Sequence, residues 1–219
     1  MVSRYYYDEE LKDLHLKILR LGSMVEEAIE KSIKSLIEHD TVIADEVIDN
    51  DDVIDDFTME IDDKCVRIIA TQQPLAKDLR IIVAGLKLVT DLERIADHAV
   101  DISNTVKRVA DEQYIKPLID IPRMADMVKK MVNESLDAYV NQDSTRAFEI
   151  TKMDDEIDDI YKQMFRELLT YMMEDPKNIS QATQFLFVGR YLERIADHTT
   201  NICEWVIYID RGTHEDLNK

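Results

Sequence analysis

Glycine and proline are scarce in this chain, with four residues of each among 219. Together with long stretches of apolar residues at helical spacing, this scarcity favours an all-helical protein over one rich in tight turns. No apolar run approaches the roughly 18–20 residues that cross a bilayer. The N-terminal sequence MVSRYYYDEELK also lacks the apolar segment of a signal peptide. We therefore expect a cytoplasmic protein that does not insert into a membrane.

Basic residues are outnumbered, because Lys and Arg total 27 against 46 Asp and Glu, for a net charge of −19. Nucleic acids and anionic lipids bind basic surfaces, so neither is an expected partner. Cysteine is also rare. Its two residues, Cys65 and Cys203, lie on separate predicted helices and are predicted to be reduced core residues.

What the chain does contain is a long internal repeat. LERIADH occurs at Leu92–His98 and again at Leu192–His198. DDVIDD at Asp51–Asp56 has the counterpart DDEIDD at Asp154–Asp159. The first pair is offset by 100 residues and the second by 103, so the second copy lacks three residues between its two motifs. The repeat predicts a duplicated structural unit.

Three helices are predicted in each copy from the apolar periodicity and the turn residues. In the first copy they cover Asp8–Glu38, Thr41–Thr71 and Ala76–Glu112, and in the second Asp120–Asn141, Ser144–Met173 and Asn178–Asp210. The predicted fold is therefore all-α, with two tandem three-helix bundles at residues 1–113 and 114–219.

Single residues mark the ends of these helices. Asp40 and Asp143 are suited to cap the second helix of each copy. Pro74 and Pro176 are predicted to separate the last two helices, since proline is tolerated only outside a helix or in its first turn. Gln113–Leu118 is the predicted linker between the bundles.

Two helices of each copy carry acids within their predicted apolar stripes. In the second copy, for example, Asp154 and Asp158 interrupt a stripe of Ile157, Tyr161 and Phe165. Residues i and i+4 share one helix face, so each bundle aims four carboxylates at one helix–helix seam. The predicted sets are Asp51, Asp55, Glu93 and Asp97 in the first copy, and Asp154, Asp158, Glu193 and Asp197 in the second.

Four carboxylates in one seam would each cost several kcal/mol if desolvated and unpaired, so protons, basic partners or a metal must neutralise them. Arg94 and Arg194 lie about 100° around the helix from the adjacent acids and are poorly placed to do so alone. All-oxygen ligands favour ferric iron, manganese, magnesium or calcium, whereas zinc more usually recruits His or Cys. Asp101 continues the row and is a further candidate ligand, although its counterpart is Asn201.

The alternative is that these acids are solvated side chains of a very acidic protein, but their equivalent placement in two copies favours metal sites. His98 and His198 point away from the acids and are predicted to support the ligands or to lie on the surface. Di-iron carboxylate bundles use Glu-x-x-His. The corresponding histidine positions here are Ala96 and Ala196, which argues against an oxidase.

These motifs, together with QQPLAKDLR at Gln72–Arg80, resemble the PhoU family of phosphate-uptake regulators over nearly the whole chain. The resemblance implies two pseudo-symmetric three-helix bundles with metal clusters, iron foremost, at the eight acids. It also implies repression of the phosphate-starvation response through the ATPase subunit of the phosphate transporter and a membrane-bound sensor histidine kinase. Family members are often homodimers.

The leading hypothesis is therefore a non-enzymatic, metal-binding regulatory adaptor that protein partners recruit to the membrane. A carboxylate-bridged metalloenzyme and a purely structural helical scaffold are the alternatives. The sequence shows no Gly-rich phosphate loop and no Ser/His/Asp or Cys/His set that can be placed together. Direct sensing of free phosphate by so acidic a surface is not expected without a bound metal.

Overall fold

The computed structural model describes residues 2–213 and 217, with side chains from residue 6 onward. Within that part every regular element is helical and no strand occurs, which confirms the all-α prediction. The helices are α1 (Val2–Glu38), α2 (Thr41–Asp49), α3 (Asp51–Gln72), α4 (Lys77–Val109), α5 (Asp120–Asn141), α6 (Ser144–Ile150), α7 (Lys152–Glu174) and α8 (Ile179–Arg211), with a 3₁₀ turn at Pro176–Asn178. None of these helices is long and apolar enough to cross a bilayer.

The second helix of each copy is interrupted, so the prediction of one continuous helix was wrong in both copies. The interruptions fall at Asn50 and Thr151. Asn50 keeps a backbone close to the α region, with φ −83° and ψ −6°, and its N–H still bonds to Glu46. Such a mild break needs no Gly or Pro and scarcely shifts the apolar periodicity, which is why the sequence does not reveal it.

Helix ends follow the predicted capping chemistry. The Asp40 carboxylate accepts hydrogen bonds from the N–H groups of Val42 and Ile43, at 2.8 and 3.1 Å. Asp143 accepts one from the Arg146 N–H at 2.9 Å. Before each cap the chain reverses through a left-handed residue that is not glycine, His39 in the first copy and Gln142 in the second. Both copies therefore enter their second helix by the same turn.

The two copies pack against each other along α4 and α8. These helices run antiparallel, as the contact between Arg108 near the end of α4 and Gln184 near the start of α8 shows. α1 packs on α4 and α5, while α3 and α7 lie outermost against their own copies. One hydrophobic core runs through both copies, and the division at residues 1–113 and 114–219 remains a prediction.

The predicted linker lies between α4 and α5 and contacts both copies. The Tyr114 ring stacks on His39 at a centroid distance of 3.9 Å, and its hydroxyl donates to the Leu36 carbonyl at 2.6 Å. On the other side the Ile115 N–H donates to the Gln181 side chain at 2.7 Å, and Lys116 forms an ion pair with Glu167. These contacts fix the linker to the two bundles instead of leaving it as a loose tether.

Most of the predicted core positions are buried. Cys65 and Cys203 are free and buried, as predicted, and burial raises the pKa of the Cys65 thiol to about 12, so it stays protonated. Phe165 was assigned to the core wrongly, because its side chain is 44% exposed. The buried stripe of α7 instead runs through Ile157, Ile160, Met164 and Leu168.

Candidate metal centre

The first acid cluster lies at the seam between α3 and α4. Asp51 stands in the first turn of α3, where a helix N-terminus favours negative charge. Its side chain is half-buried, and its Oδ1 atom is buried without a hydrogen-bond partner. Burial raises the pKa of Asp51 to about 6, and repulsion from Asp55, Asp97 and Glu93 adds to the increase. The structure thus brings the four predicted residues of the first copy together.

The members of this cluster differ in exposure. Glu93 and Asp97 are half-buried, but Asp55 is exposed, so the prediction placed Asp55 too deep in the apolar stripe. Burial raises the pKa of Glu93. Arg94, expected to point away from the acids, turns back so that its Nη1 lies 2.7 Å from Asp97 Oδ2. The same guanidinium also interacts with Glu93 and Asp55, and its single positive charge leaves the cluster with an excess of negative charge.

The first cluster extends about two helical turns beyond Asp55, to a residue that the prediction from sequence did not include. Asp62 is half-buried, and its Oδ1 is buried without a hydrogen-bond partner. Burial raises its pKa, and its charge in turn helps to raise the pKa of Glu93. The signal was present in the sequence, because Asp62 follows Asp55 by seven residues and so shares its face of the helix.

The second acid cluster lies at the equivalent seam between α7 and α8. Burial raises the pKa of Asp154 to about 7, and repulsion from Asp197, Asp158 and Glu193 contributes. The Oδ1 atom of Asp154 is buried without a hydrogen-bond partner, as in Asp51. Burial also raises the pKa of Glu193 and of Asp197. The four predicted residues of the second copy are therefore also neighbours.

The second cluster also contains two basic side chains that the prediction from sequence did not include. Arg190 forms an ion pair with Glu193, and the Lys162 Nζ lies 3.2 Å from Asp158 Oδ2. Both pairs have i, i+3 or i, i+4 spacing, so helical geometry alone could have found them. Arg190, rather than Arg194, therefore provides the ion pair to Glu193.

The donor chemistry of both clusters fits a hard cation, which carboxylate oxygens bind preferentially. A cation would relieve the mutual repulsion and satisfy the partnerless oxygens of Asp51 and Asp154. Among the side chains that the structure describes, however, no three His, Cys, Asp or Glu groups converge closely enough to coordinate one ion. The side chains would have to turn inward for a cation to bind.

The LERIADH histidines lie where α4 meets α8, each about 100° around its helix from the adjacent acid. His98 is buried, which corrects the expectation of a surface group, and burial lowers its pKa. Its Nδ1 is 3.3 Å from Asp101, and the Nδ1 of His198 is 2.9 Å from Asp91. Asp101 thus contacts His98 rather than the first acid cluster.

Comparison with known proteins places these features in one family. The PhoU domain model matches residues 18–106 and again 121–206. The "Phosphate-specific transport system accessory protein PhoU homolog" of Clostridium acetobutylicum is 46% identical, and the match covers 99% of this chain and 100% of that protein. Its namesake from Pseudomonas aeruginosa is 39% identical over 94% of this chain and 86% of that protein.

Solved structures agree with this assignment. The crystal structure of PhoU from Pseudomonas aeruginosa matches with a TM-score of 0.90 at 38% identity, over 94% of this chain and 100% of that one. The phosphate transport system regulatory protein PhoU from Streptococcus pneumoniae matches with a TM-score of 0.89 at 30% identity, over 96% and 99%. A repeated domain, a fold and a nearly full-length sequence match point the same way, and the chain belongs to the PhoU family.

Proposed function

We propose that this protein is a metal-binding regulatory adaptor of phosphate uptake. It negatively regulates the phosphate-specific transporter and the phosphate-starvation two-component response. The observation that carries this proposal is the nearly full-length similarity to a protein named as a phosphate-transport accessory protein, at 46% identity. The relatives' names describe accessory proteins rather than enzymes, and we assign the chain no catalytic activity.

Each acid cluster holds metal in this proposal, with iron the foremost ion and manganese, magnesium, calcium or zinc as the others. The ligands are Asp51, Asp55, Glu93 and Asp97 in the first copy, and Asp154, Asp158, Glu193 and Asp197 in the second. A bound cation supplies positive charge between the two helices of each seam. The carboxylates then hold α3 to α4, and α7 to α8, where without metal they repel each other.

The partners in this proposal are the ATPase subunit of the phosphate transporter and a sensor histidine kinase, which recruit a cytoplasmic homodimer to the membrane. The segment QQPLAKDLR offers a contact surface. Leu75 stands 80% exposed in the turn between α3 and α4. Gln73 and Ala76, on either side of it, hold positive φ angles of 46° and 45°, a strained conformation for residues other than glycine. An apolar side chain held outward at such a turn suits a pocket on a partner.

Elemental analysis tests the metal part of this proposal. The untagged protein, purified without chelator, is compared with a Glu93→Ala/Asp97→Ala/Glu193→Ala/Asp197→Ala variant whose helicity is checked by circular dichroism. We expect stoichiometric metal in the wild type and its loss from the variant. Absence of metal from the wild type, even after incubation with iron, manganese or zinc, would remove the metal centres from the proposal.

A phosphate-starvation reporter tests the regulatory part. A strain without its own PhoU-family protein, expressing the reporter constitutively, receives the wild-type chain or the fourfold variant. We expect the wild type to restore repression in high phosphate and the variant to restore less. If the wild-type chain is expressed and folded but leaves the reporter unrepressed, the proposed role in phosphate control is wrong.

A further inference from the structure

His98 and His198 meet between the two copies of the repeat. Their ring centroids are 5.8 Å apart, with planes inclined by 35°. Because α4 and α8 run antiparallel, the two LERIADH motifs cross near their histidines, and equivalent residues face each other. Neither histidine belongs to the proposed carboxylate centres, since the acids face α3 and α7 whereas the histidines face the opposite LERIADH helix.

Each imidazole is held by a carboxylate through the same ring atom. The Nδ1 of His98 contacts Asp101 at 3.3 Å, and the Nδ1 of His198 contacts Asp91 at 2.9 Å. A neutral imidazole that donates its Nδ1–H to a carboxylate carries its lone pair on Nε2. This carboxylate–histidine arrangement is the one that orients imidazole ligands and raises their basicity in metal sites.

The separation of the rings suits one shared ion. A metal–nitrogen bond to imidazole is about 2.0–2.1 Å long, which places the ion about 3.2 Å from the ring centroid. Two rings that share an ion then have centroids roughly 5–6.4 Å apart, for angles at the metal from tetrahedral to linear. The observed 5.8 Å lies within that interval.

The surroundings admit a cation. The His98 side chain is only 10% exposed, but His198 is 25% exposed and Asp101 is 44% exposed, so solvent reaches the pair from the side of these two residues. Asn201 donates to the same Asp91 oxygen at 3.1 Å and fixes that carboxylate behind His198. The chain as a whole is strongly negative, at −19, which raises the local concentration of cations.

We propose that His98 and His198 form a third metal site, separate from the two carboxylate centres. It takes a borderline divalent transition ion such as Zn²⁺, Ni²⁺ or Co²⁺, which imidazole nitrogen binds in preference to Mg²⁺ or Ca²⁺. Asp91 and Asp101 are positioning residues that orient the rings, and water completes the coordination. A bound ion ties α4 to α8 and so fixes one copy of the repeat against the other.

A zinc titration followed by long-range ¹H–¹⁵N NMR of the histidine rings tests this site in the full-length protein. We expect the Nε2 resonances of His98 and His198 to shift together with one equivalent of Zn²⁺. Those of His15 and His39 should stay unchanged, because both rings lie elsewhere in the fold. Calorimetry with Ni²⁺ should lose one binding event, or weaken it at least tenfold, in the variants His98→Gln and His198→Gln.

Two control variants separate this site from the carboxylate centres. His39→Gln tests whether any histidine loss has the same effect, and Asp97→Asn/Asp197→Asn removes proposed carboxylate ligands without touching the rings. Both should retain the Ni²⁺ event. If the His98 and His198 resonances ignore zinc, or if the Asp97→Asn/Asp197→Asn variant alone abolishes the event, the histidines are a structural pair and the third site does not exist.

Discussion

The two acid clusters share one arrangement of carboxylates but differ in the charges around it. Arg190 and Lys162 form ion pairs within the second cluster, whereas the equivalent residues of the first are Thr90 and Met59. The first cluster instead gains the half-buried Asp62, whose counterpart is Phe165. Duplication kept the eight carboxylates and let the counter-charges diverge, so the two seams differ in net charge.

The carboxylates of the second cluster are also more deeply buried than those of the first. The Glu193 side chain is 13% exposed, against 29% for Glu93. Burial takes the pKa of Asp154 to about 7, against about 6 for Asp51. The second cluster is thus less solvated but better supplied with cations, because a deeper carboxylate group requires more compensation. A cation that enters the first cluster therefore competes with fewer basic side chains for the carboxylates.

Removing the proposed metal ligands from one copy at a time should have the largest effect. We expect Glu93→Ala/Asp97→Ala to remove the metal of the first centre and Glu193→Ala/Asp197→Ala that of the second, each leaving the other centre filled. Metal analysis of the two purified variants measures this. If either double variant lost all of its metal, the two centres would not bind metal independently, and the prediction of two separate sites would be wrong.

The two hairpins at the ends of the outer helices offer the next contrast. Leu75 in the first copy and Met173 in the second are both 80% exposed. We expect Leu75→Ser to weaken copurification with the proposed partner, the transporter ATPase subunit, about tenfold, a loss typical of an anchor residue in an interface. Met173→Ser is the matched control and should bind normally. Equal losses in both variants would mean that QQPLAKDLR has no special part in docking.

Exchanging the basic residues between the clusters should make the cation affinity of each cluster more like that of the other. Arg190→Thr/Lys162→Met should raise Mn²⁺ affinity at the second centre about threefold to tenfold, since each of these partly exposed ion pairs contributes up to about 1 kcal/mol. The reverse exchange, Thr90→Arg/Met59→Lys, should lower the affinity of the first centre by a similar factor. Calorimetry in backgrounds that lack the other centre isolates each value. Unchanged affinities would show that these basic residues do not affect cation binding.

The pH dependence of stability should show the smallest difference. The folded pKa of Asp154 lies above its unfolded value, so the folded state binds the proton more tightly, and stability falls as pH rises from about 4 to about 7. In metal-free protein at pH 8, Asp154→Asn should therefore raise the free energy of unfolding, by about 1 kcal/mol after allowance for solvent screening. The gain should disappear near pH 4.

Asp51→Asn should raise the free energy of unfolding by less, and this gain should develop over a narrower range, from about pH 4 to about pH 6, because the pKa of Asp51 is raised less than that of Asp154. Urea denaturation at several pH values, in the presence of chelator, compares the two variants. An equal or larger gain at Asp51 would reverse the assigned order of burial.

Sequence alone determined the helical class, the duplication and the grouping of eight carboxylates at two helix–helix seams, because helical periodicity and exact repetition are local signals. It also located the capping aspartates Asp40 and Asp143, whose side chains bond within the next three residues. The ion pairs of Arg190 and Lys162 belong to this local category too, since their partners lie on the same helix.

Tertiary structure decided the features that depend on contact between distant segments. The breaks at Asn50 and Thr151 leave no local mark, because the backbone stays near the helical region. Exposure of Asp55 and Phe165 followed from which side of each outer helix faces the core. The meeting of His98 with His198 required α4 and α8 to cross antiparallel. That crossing is fixed by burial of apolar side chains along both helices, which no single stretch of sequence specifies.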